Sequence, residues 1–116
     1  MNAQNILFFM PLLVGSIFSI TGIIMFKFPP KKINGLYGYR TKLSMKNKEY
    51  WDFAQIYSSK LMILCGIILI LFLLIGVVIQ VSEKTGVLIS AIAIITAVVF
   101  LIIKTERTIK KQFKSE

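Results

Sequence analysis

Three long runs without a charged side chain constrain this chain more than any other feature of its sequence. They cover about residues 6–26, 61–81 and 86–103. As α-helices the first two would extend roughly 30 Å, which matches the hydrocarbon thickness of a bilayer, and the third is a few ångströms shorter. None of them alternates polar and apolar residues at every second position. The runs therefore predict membrane-spanning helices and not barrel strands.

The expected fold class is an all-α membrane protein with three transmembrane helices and an amphipathic cytoplasmic helix before the second span. This amphipathic helix is predicted to begin near Ser44, a residue type that caps helices well. Trp51 and Ala54 fall on its apolar face, while Gln55 and the charged side chains are assigned to its polar face. Neither proline nor glycine separates it from the second span, so a continuous helix with a bend is compatible with the sequence.

The chain is predicted to form one domain, residues 1–116. It contains a signature segment between the first two spans, residues 27–60, and a basic C-terminal tail, residues 104–116. The tail is expected to be either a frayed helical extension or a tail that touches lipid. The first run is interpreted as a retained helix and not a signal peptide, because no basic residue precedes it and its apolar core is too long.

The positive charge is distributed in a way that indicates topology. Of the 14 basic side chains in this chain of formal net charge +9, all but Lys84 lie in the signature segment or the tail. Alternating basic segments are what the positive-inside rule requires of a three-span protein with its N-terminus outside and its C-terminus in the cytoplasm. Topology explains the charge better than nucleic-acid binding does, and the predicted partner is a bilayer with anionic lipids.

Small residues recur at helix-packing intervals in two of the spans. One set is Gly15, Ser19 and Gly22, and the other is Gly86, Ser90, Ala93 and Ala97. In lipid, close approach of backbones at small residues drives helix association. A three-helix bundle within one chain is the preferred interpretation, and a homodimer through one of these faces is the alternative.

The residues that enzymes use are scarce in this chain. It has no histidine and a single cysteine, Cys65, within the second span. Glu49 and Asp52 are the only close carboxylates, and surface ion pairs with lysine or Arg40 are expected there. The sequence predicts a protein that is not an enzyme, with no catalytic residue, cofactor or metal site. The span cores also lack ionisable residues, which disfavours a pump or coupled transporter.

The signature segment holds the chain's most varied chemistry. Asn34-Gly35 and Gly38 permit turns with positive φ, and tyrosines favour the membrane interface. Arg40 presents a planar fork of donors that suits lipid phosphate, a carboxylate or the carbonyls of a helix end. The plainer interpretation is that Arg40 and Trp51 only hold the loop in place. The candidate partner-binding residues are Asn34, Gly35, Tyr37, Gly38, Tyr39, Arg40, Thr41, Ser44 and Trp51.

The stretch "NGLYGYRTKLSMKNKEYWDFAQIYSSK", preceded by "PPKKI", resembles the signature of the SdpI-like bacterial immunity protein family. The pattern combines an asparagine and glycine, a Gly-x-Arg-Thr core, a serine or threonine, and a tryptophan near the start of the next helix. Here the matching positions are Asn34, Gly35, Gly38, Arg40, Thr41, Ser44 and Trp51. The resemblance is strong over about residues 28–81, so this chain is identified as a short form that carries the signature module.

The named member of that family is a larger membrane protein that protects its bacterium against a secreted membrane-active toxin and can hold a transcriptional repressor at the membrane. The resemblance implies a protein of the bacterial cytoplasmic (inner) membrane that protects, without catalysis, against a peptide or protein toxin. Two alternatives stay open. One is a signalling adaptor that recruits a cytoplasmic regulator through the basic loop, and the other is an accessory lipid-binding membrane subunit.

Overall fold

The computed structural model describes residues 3–72, 74, 78–79 and 81–113. Within them the regular structure is helical: α1 is Ala3–Lys27, α2 is Lys48–Leu71 and α3 is Glu83–Gln112. Each helix contains a stretch that is long and apolar enough to cross a bilayer. The prediction of an all-α protein with three spanning helices is therefore confirmed.

The start of α2 differs from the prediction. Its N-cap is Asn47, whose side-chain oxygen accepts a hydrogen bond from the Tyr50 amide at 3.0 Å, so the predicted start near Ser44 is wrong. The amphipathic helix is the first part of α2 and not a separate element. The described helix ends at Leu71, and the predicted end of the second span includes residues 73, 75–77 and 80, which lie outside the described residues.

Helix α3 is longer than a bilayer requires. It begins after its N-cap Ser82 and has 30 residues, which corresponds to about 45 Å against roughly 30 Å of hydrocarbon. Its last turns pack on the start of α2: Ile109 is fully buried, and the Phe113 ring stacks on Tyr50 with 4.4 Å between centroids. Up to Gln112 the basic tail is thus a helical extension that packs on α2, and residues 114–116 lie outside the described part.

Helices α1 and α2 pack antiparallel with their backbones close together. A Cβ atom added to Gly15 would lie 2.7 Å from the Gly66 carbonyl oxygen, and one added to Gly22 would lie 2.8 Å from the Ser59 carbonyl oxygen. The Ser19 hydroxyl lies against Gly66 in the same contact. The face of α1 that carries the small residues is therefore occupied by α2 of the same chain.

The small residues of α3 lie at two depths. Gly86 and Ser90 are buried, whereas Ala93 and Ala97 are half-buried and line an apolar cleft of about 590 Å³ between α2 and α3. The cleft also contains Cys65. Helix α3 is held less tightly to its neighbours in this part of the bundle than α1 is held to α2.

Candidate functional site

The connecting loop, residues 28–47, joins α1 to α2 at the end of the bundle where α3 also ends. The consecutive prolines Pro29 and Pro30 prevent α1 from continuing. Trp51, in the first turns of α2, is 0% exposed and its indole Nε1–H donates to the Pro30 carbonyl at 2.7 Å. A tryptophan that is both buried and hydrogen-bonded ties the start of the loop to α2.

A glutamine one turn beyond Trp51 holds the middle of the loop. The Tyr39 amide donates to Gln55 Oε1 at 2.7 Å, and Gln55 Nε2 donates back to the Tyr39 carbonyl at 2.8 Å. The side-chain amide of Gln55 therefore pairs with both backbone polar groups of one residue, as a neighbouring peptide unit would. Gln55 is fully buried, so removing this side chain would leave both groups without those partners.

Asparagine and tyrosine side chains shape the first turn of the loop. Asn34 Oδ1 accepts hydrogen bonds from the amides of Leu36 at 2.9 Å and Tyr37 at 2.7 Å, which is the geometry of an Asx turn. The Tyr37 hydroxyl donates to the Phe28 carbonyl at 2.7 Å. These bonds bring the turn back towards the end of α1 and leave Leu36 96% exposed at its tip.

Ser44 closes the second turn instead of capping α2. Its buried hydroxyl oxygen accepts from the Thr41 amide at 2.8 Å, and the Ser44 amide donates to Thr41 Oγ1 at 3.1 Å. This reciprocal pair resembles the capping box of a helix start. It accounts for a hydroxyl residue at each of these two positions.

The loop is also joined to the end of α3. The hydroxyls of Tyr39 and Thr41 donate to the same carboxylate oxygen, Glu106 Oε2, at 2.8 and 2.9 Å. Burial, and secondly the hydrogen bond and charge of Glu106, raise the pKa of the Tyr39 phenol above its ordinary value, so this hydroxyl stays protonated as a donor. Two hydrogen bonds to a charged acceptor link residues more than sixty positions apart.

The two glycines of the loop have different roles. Gly38 has φ +112°, and a Cβ there would lie 2.6 Å from Gln55 Oε1 and 2.7 Å from Pro30 Cγ. Gly35 has no atom within 4 Å of its virtual Cβ, and its φ is not positive. Of the two glycines that permit positive φ, Gly38 adopts it and Gly35 does not.

Arg40 lies at the edge of an open cleft of about 520 Å³ beneath the loop. The walls come from α1 and α3, for example Met25 and Val98, with Met62 of α2 and residues 36–41 of the loop. Arg40 itself is exposed, and no hydrogen bond or ion pair holds its guanidinium within the part of the chain that the structure describes. The geometry thus fixes the backbone on both sides of Arg40 and leaves its five donors available.

Two residues that build this site were not identified from the sequence. The helical pattern places Gln55 on the polar face of α2, but Gln55 is buried with Trp51, and the sequence pattern indicates no role for Glu106, which bonds to Tyr39. A signal existed for each. Gln55 lies four positions after Trp51 and so shares its helical face, and Glu106 is an isolated carboxylate within a basic segment.

The two carboxylates near the start of α2, Glu49 and Asp52, are exposed. Asp52 pairs with Lys48 at 2.6 Å, and both side chains are more than half exposed, so the pair contributes little to stability. Among the residues that the structure describes, no group of three or more histidine, cysteine or acidic side chains could hold a metal ion.

These features define a multi-pass membrane protein whose connecting loop is fastened by residues from α2 and α3. The chain belongs to the SdpI/YfhL protein family, whose model matches residues 31–104. That region contains most of the loop, all of α2 and the apolar part of α3. The family is not a known enzyme family.

One relative is a protein of Bacillus subtilis (strain 168) described as "Uncharacterized protein YfhL". It is 47% identical to this chain over 55 residues, a match that covers 47% of this chain and 50% of the relative. The matched region thus spans about half the length of this curated relative. No solved structure matches the chain.

Proposed function

We propose that this protein protects a bacterial cytoplasmic membrane against a membrane-active peptide or protein toxin, without catalysing a reaction. One observation supports this most strongly: the residues of the immunity-family signature converge in one fastened loop. Gly38, Ser44 and Trp51 support its backbone, and Arg40 is presented at an open cleft. A rigid loop whose guanidinium bonds to none of the described residues suits recognition, because the loop backbone loses little conformational entropy when it binds.

The proposed mechanism is occlusion. The bundle binds the toxin within the bilayer, or competes with it for its target, so that no lesion forms. Binding in the plane of the membrane requires no chemistry beyond complementary surfaces.

A toxin-challenge assay tests the role of the loop. A sensitive bacterium expresses the wild type, Gly38→Val or Gly35→Val, and is exposed to a secreted membrane-active peptide encoded beside this gene. We expect the wild type and Gly35→Val to protect, and Gly38→Val to lose protection at equal membrane abundance, because only Gly38 has positive φ and close neighbours. An unrelated membrane-active peptide serves as the control against which no form protects.

Two results would contradict the proposal. If Gly38→Val protects as well as the wild type, the loop is not the working part. If the wild type protects against no toxin encoded near its gene, the immunity role fails and recruitment of a cytoplasmic regulator becomes the better explanation.

The proposed orientation places the basic end of the bundle in the cytoplasm. It follows from the concentration of basic residues in the connecting loop and at the end of α3. A thiol reagent that cannot cross membranes should label Lys84→Cys in intact cells and should label Leu36→Cys only after lysis. Labelling of Leu36→Cys in intact cells would reverse the orientation.

A further inference from the structure

The cleft beneath the connecting loop has apolar walls and a charged residue at its loop end. Its apolar walls are formed by transmembrane helices, for example Met62 of α2 and Val98 and Ile102 of α3. At the loop end it is lined by Arg40, together with Tyr37. Its volume of about 520 Å³ lies within the roughly 300–1,000 Å³ that is typical of small-molecule sites.

The charges around the cleft favour an anion. Among the described residues no carboxylate lines it, and the nearby Glu106 accepts through Oε2 from the hydroxyls of Tyr39 and Thr41. Lys42 is exposed two positions after Arg40. A guanidinium that bonds to none of the described residues, at the boundary of an apolar cleft, matches an anionic head attached to an apolar chain.

We propose that this cleft binds one anionic phospholipid, with its phosphate on Arg40 and one acyl chain along the apolar walls. A lipid fits better than a soluble phosphate, because the walls belong to membrane-spanning helices and a soluble anion would leave them unfilled. Among the described residues that line the apolar cleft between α2 and α3, none is charged, so that cleft offers no such complementarity. The lipid site does not depend on a role in protection against toxins.

Native mass spectrometry of the full chain in detergent tests the site. The probes are dioleoyl phosphatidylglycerol and dioleoyl phosphatidylcholine, which differ in headgroup charge and share their chains. We expect the wild type to retain one phosphatidylglycerol in preference to phosphatidylcholine. Arg40→Gln should lower the affinity for phosphatidylglycerol about tenfold or more, since a hydrogen-bonded charge pair is lost. Lys42→Gln, which removes the same charge from the same loop, should change it less than about twofold.

A third variant tests the contribution of the apolar walls of the cleft separately from that of the Arg40 charge. Val98→Trp should fill the apolar part of the cleft and lower the retention of both lipids, while the hydrogen exchange of the Tyr39 amide shows that the loop is still in place. Glycerol 3-phosphate at millimolar concentration should not displace the lipid.

Four outcomes would overturn the proposal. They are equal retention of the two lipids by the wild type, equal losses in Arg40→Gln and Lys42→Gln, displacement by glycerol 3-phosphate, and unchanged retention in Val98→Trp with the loop intact. A dimer peak that Val98→Trp abolishes, in place of lipid adducts, would assign the cleft to a second copy of the chain.

Discussion

The two ends of α2 are held in different ways. Near its start, Trp51, Gln55 and Ser59 are fully buried and bond to the loop or to their own helix. Further along, α2 meets α1 by close backbone approach at Gly66, and many of its large apolar side chains face outward. Polar bonds select one conformation of the loop, whereas the spanning part relies on shape and lipid.

The difference between the two ends of α2 explains why polar side chains lie beside a long apolar helix. In a bilayer an apolar side chain gains little by leaving lipid for protein, so packing of spans alone specifies a loop poorly. Hydrogen bonds from buried side chains do specify it. We expect substitutions at the loop end of α2 to be costly and those on its lipid-facing surfaces to be mild.

The largest difference is predicted between two aromatic residues. Trp51→Ala should reduce the free energy of unfolding by about 3–5 kcal/mol, because it empties a fully buried site and removes the bond to Pro30. Phe100→Ala, at a residue that is 47% exposed beside the open cleft between α2 and α3, should cost about 0.5 kcal/mol or less. Unfolding in mixed micelles, followed by far-ultraviolet circular dichroism, measures both changes in the free energy of unfolding. Equal changes in the two variants would show that the loop end and the spanning part of the bundle are held in the same way.

Gln55 is predicted to have the next largest effect. Gln55→Ala leaves the Tyr39 amide without its acceptor and the Tyr39 carbonyl with only the Ser44 hydroxyl as a donor, and should cost about 2 kcal/mol. Gln112→Ala is the matched control, because Gln112 is exposed at the end of α3, and it should be neutral. The same unfolding assay applies. An unchanged free energy of unfolding in Gln55→Ala would show that water replaces the two hydrogen bonds of Gln55.

Gly38 and Gly35 should differ in their effect on stability, although both lie in the connecting loop. Gly38→Ala should cost about 1–2 kcal/mol, since alanine is strained at φ +112° and its Cβ would meet Gln55. Gly35→Ala should be neutral or slightly stabilising, because the space around it is open. If both variants behave alike in the unfolding assay, the backbone geometry assigned to Gly38 is wrong.

These two glycines also show how far the sequence could be interpreted. The apolar runs, the prolines after α1 and the signature motif predicted the helices and the location of the loop, because those signals are local. Whether a glycine needs positive φ depends on what surrounds it in space. Sequence pattern cannot distinguish Gly38 from Gly35, although the structure separates them at once.

The sequence pattern does not indicate the long-range hydrogen bonds of Gln55 and Glu106. Gln55 pairs with a residue 16 positions away, and Glu106 accepts from hydroxyls 65 and 67 positions away. No helical periodicity encodes such contacts. The contacts of Glu106 form because α3 is longer than a bilayer requires and its last turns reach the loop, which the local sequence pattern does not show.

The smallest predicted effect concerns the link between the loop and α3. The pKa of Tyr39 is raised in the folded protein, so its contribution to stability is complete below a pH of about 10, the ordinary tyrosine value, and is lost as the pH rises further. Ultraviolet absorbance of phenolate should show one late-titrating tyrosine that Tyr39→Phe removes. The substitution should cost about 0.5–1.5 kcal/mol at neutral pH. Ordinary titration of every tyrosine in the folded protein would contradict the buried bond to Glu106.

Amide hydrogen exchange of the connecting loop shows whether side chains of α2 and α3, chiefly Trp51, Gln55 and Glu106, fasten it in one conformation. In micelles, the amides of Tyr39 and Thr41 should exchange about a hundredfold more slowly than in an unstructured peptide, since both donate to side-chain oxygens of the folded protein. In Gln55→Ala the Tyr39 amide should lose this protection, while the Trp51 amide, bonded to the Asn47 carbonyl, keeps it. Exchange of the Tyr39 and Thr41 amides at peptide rates in the wild type would show that the loop is not held, and would contradict this account.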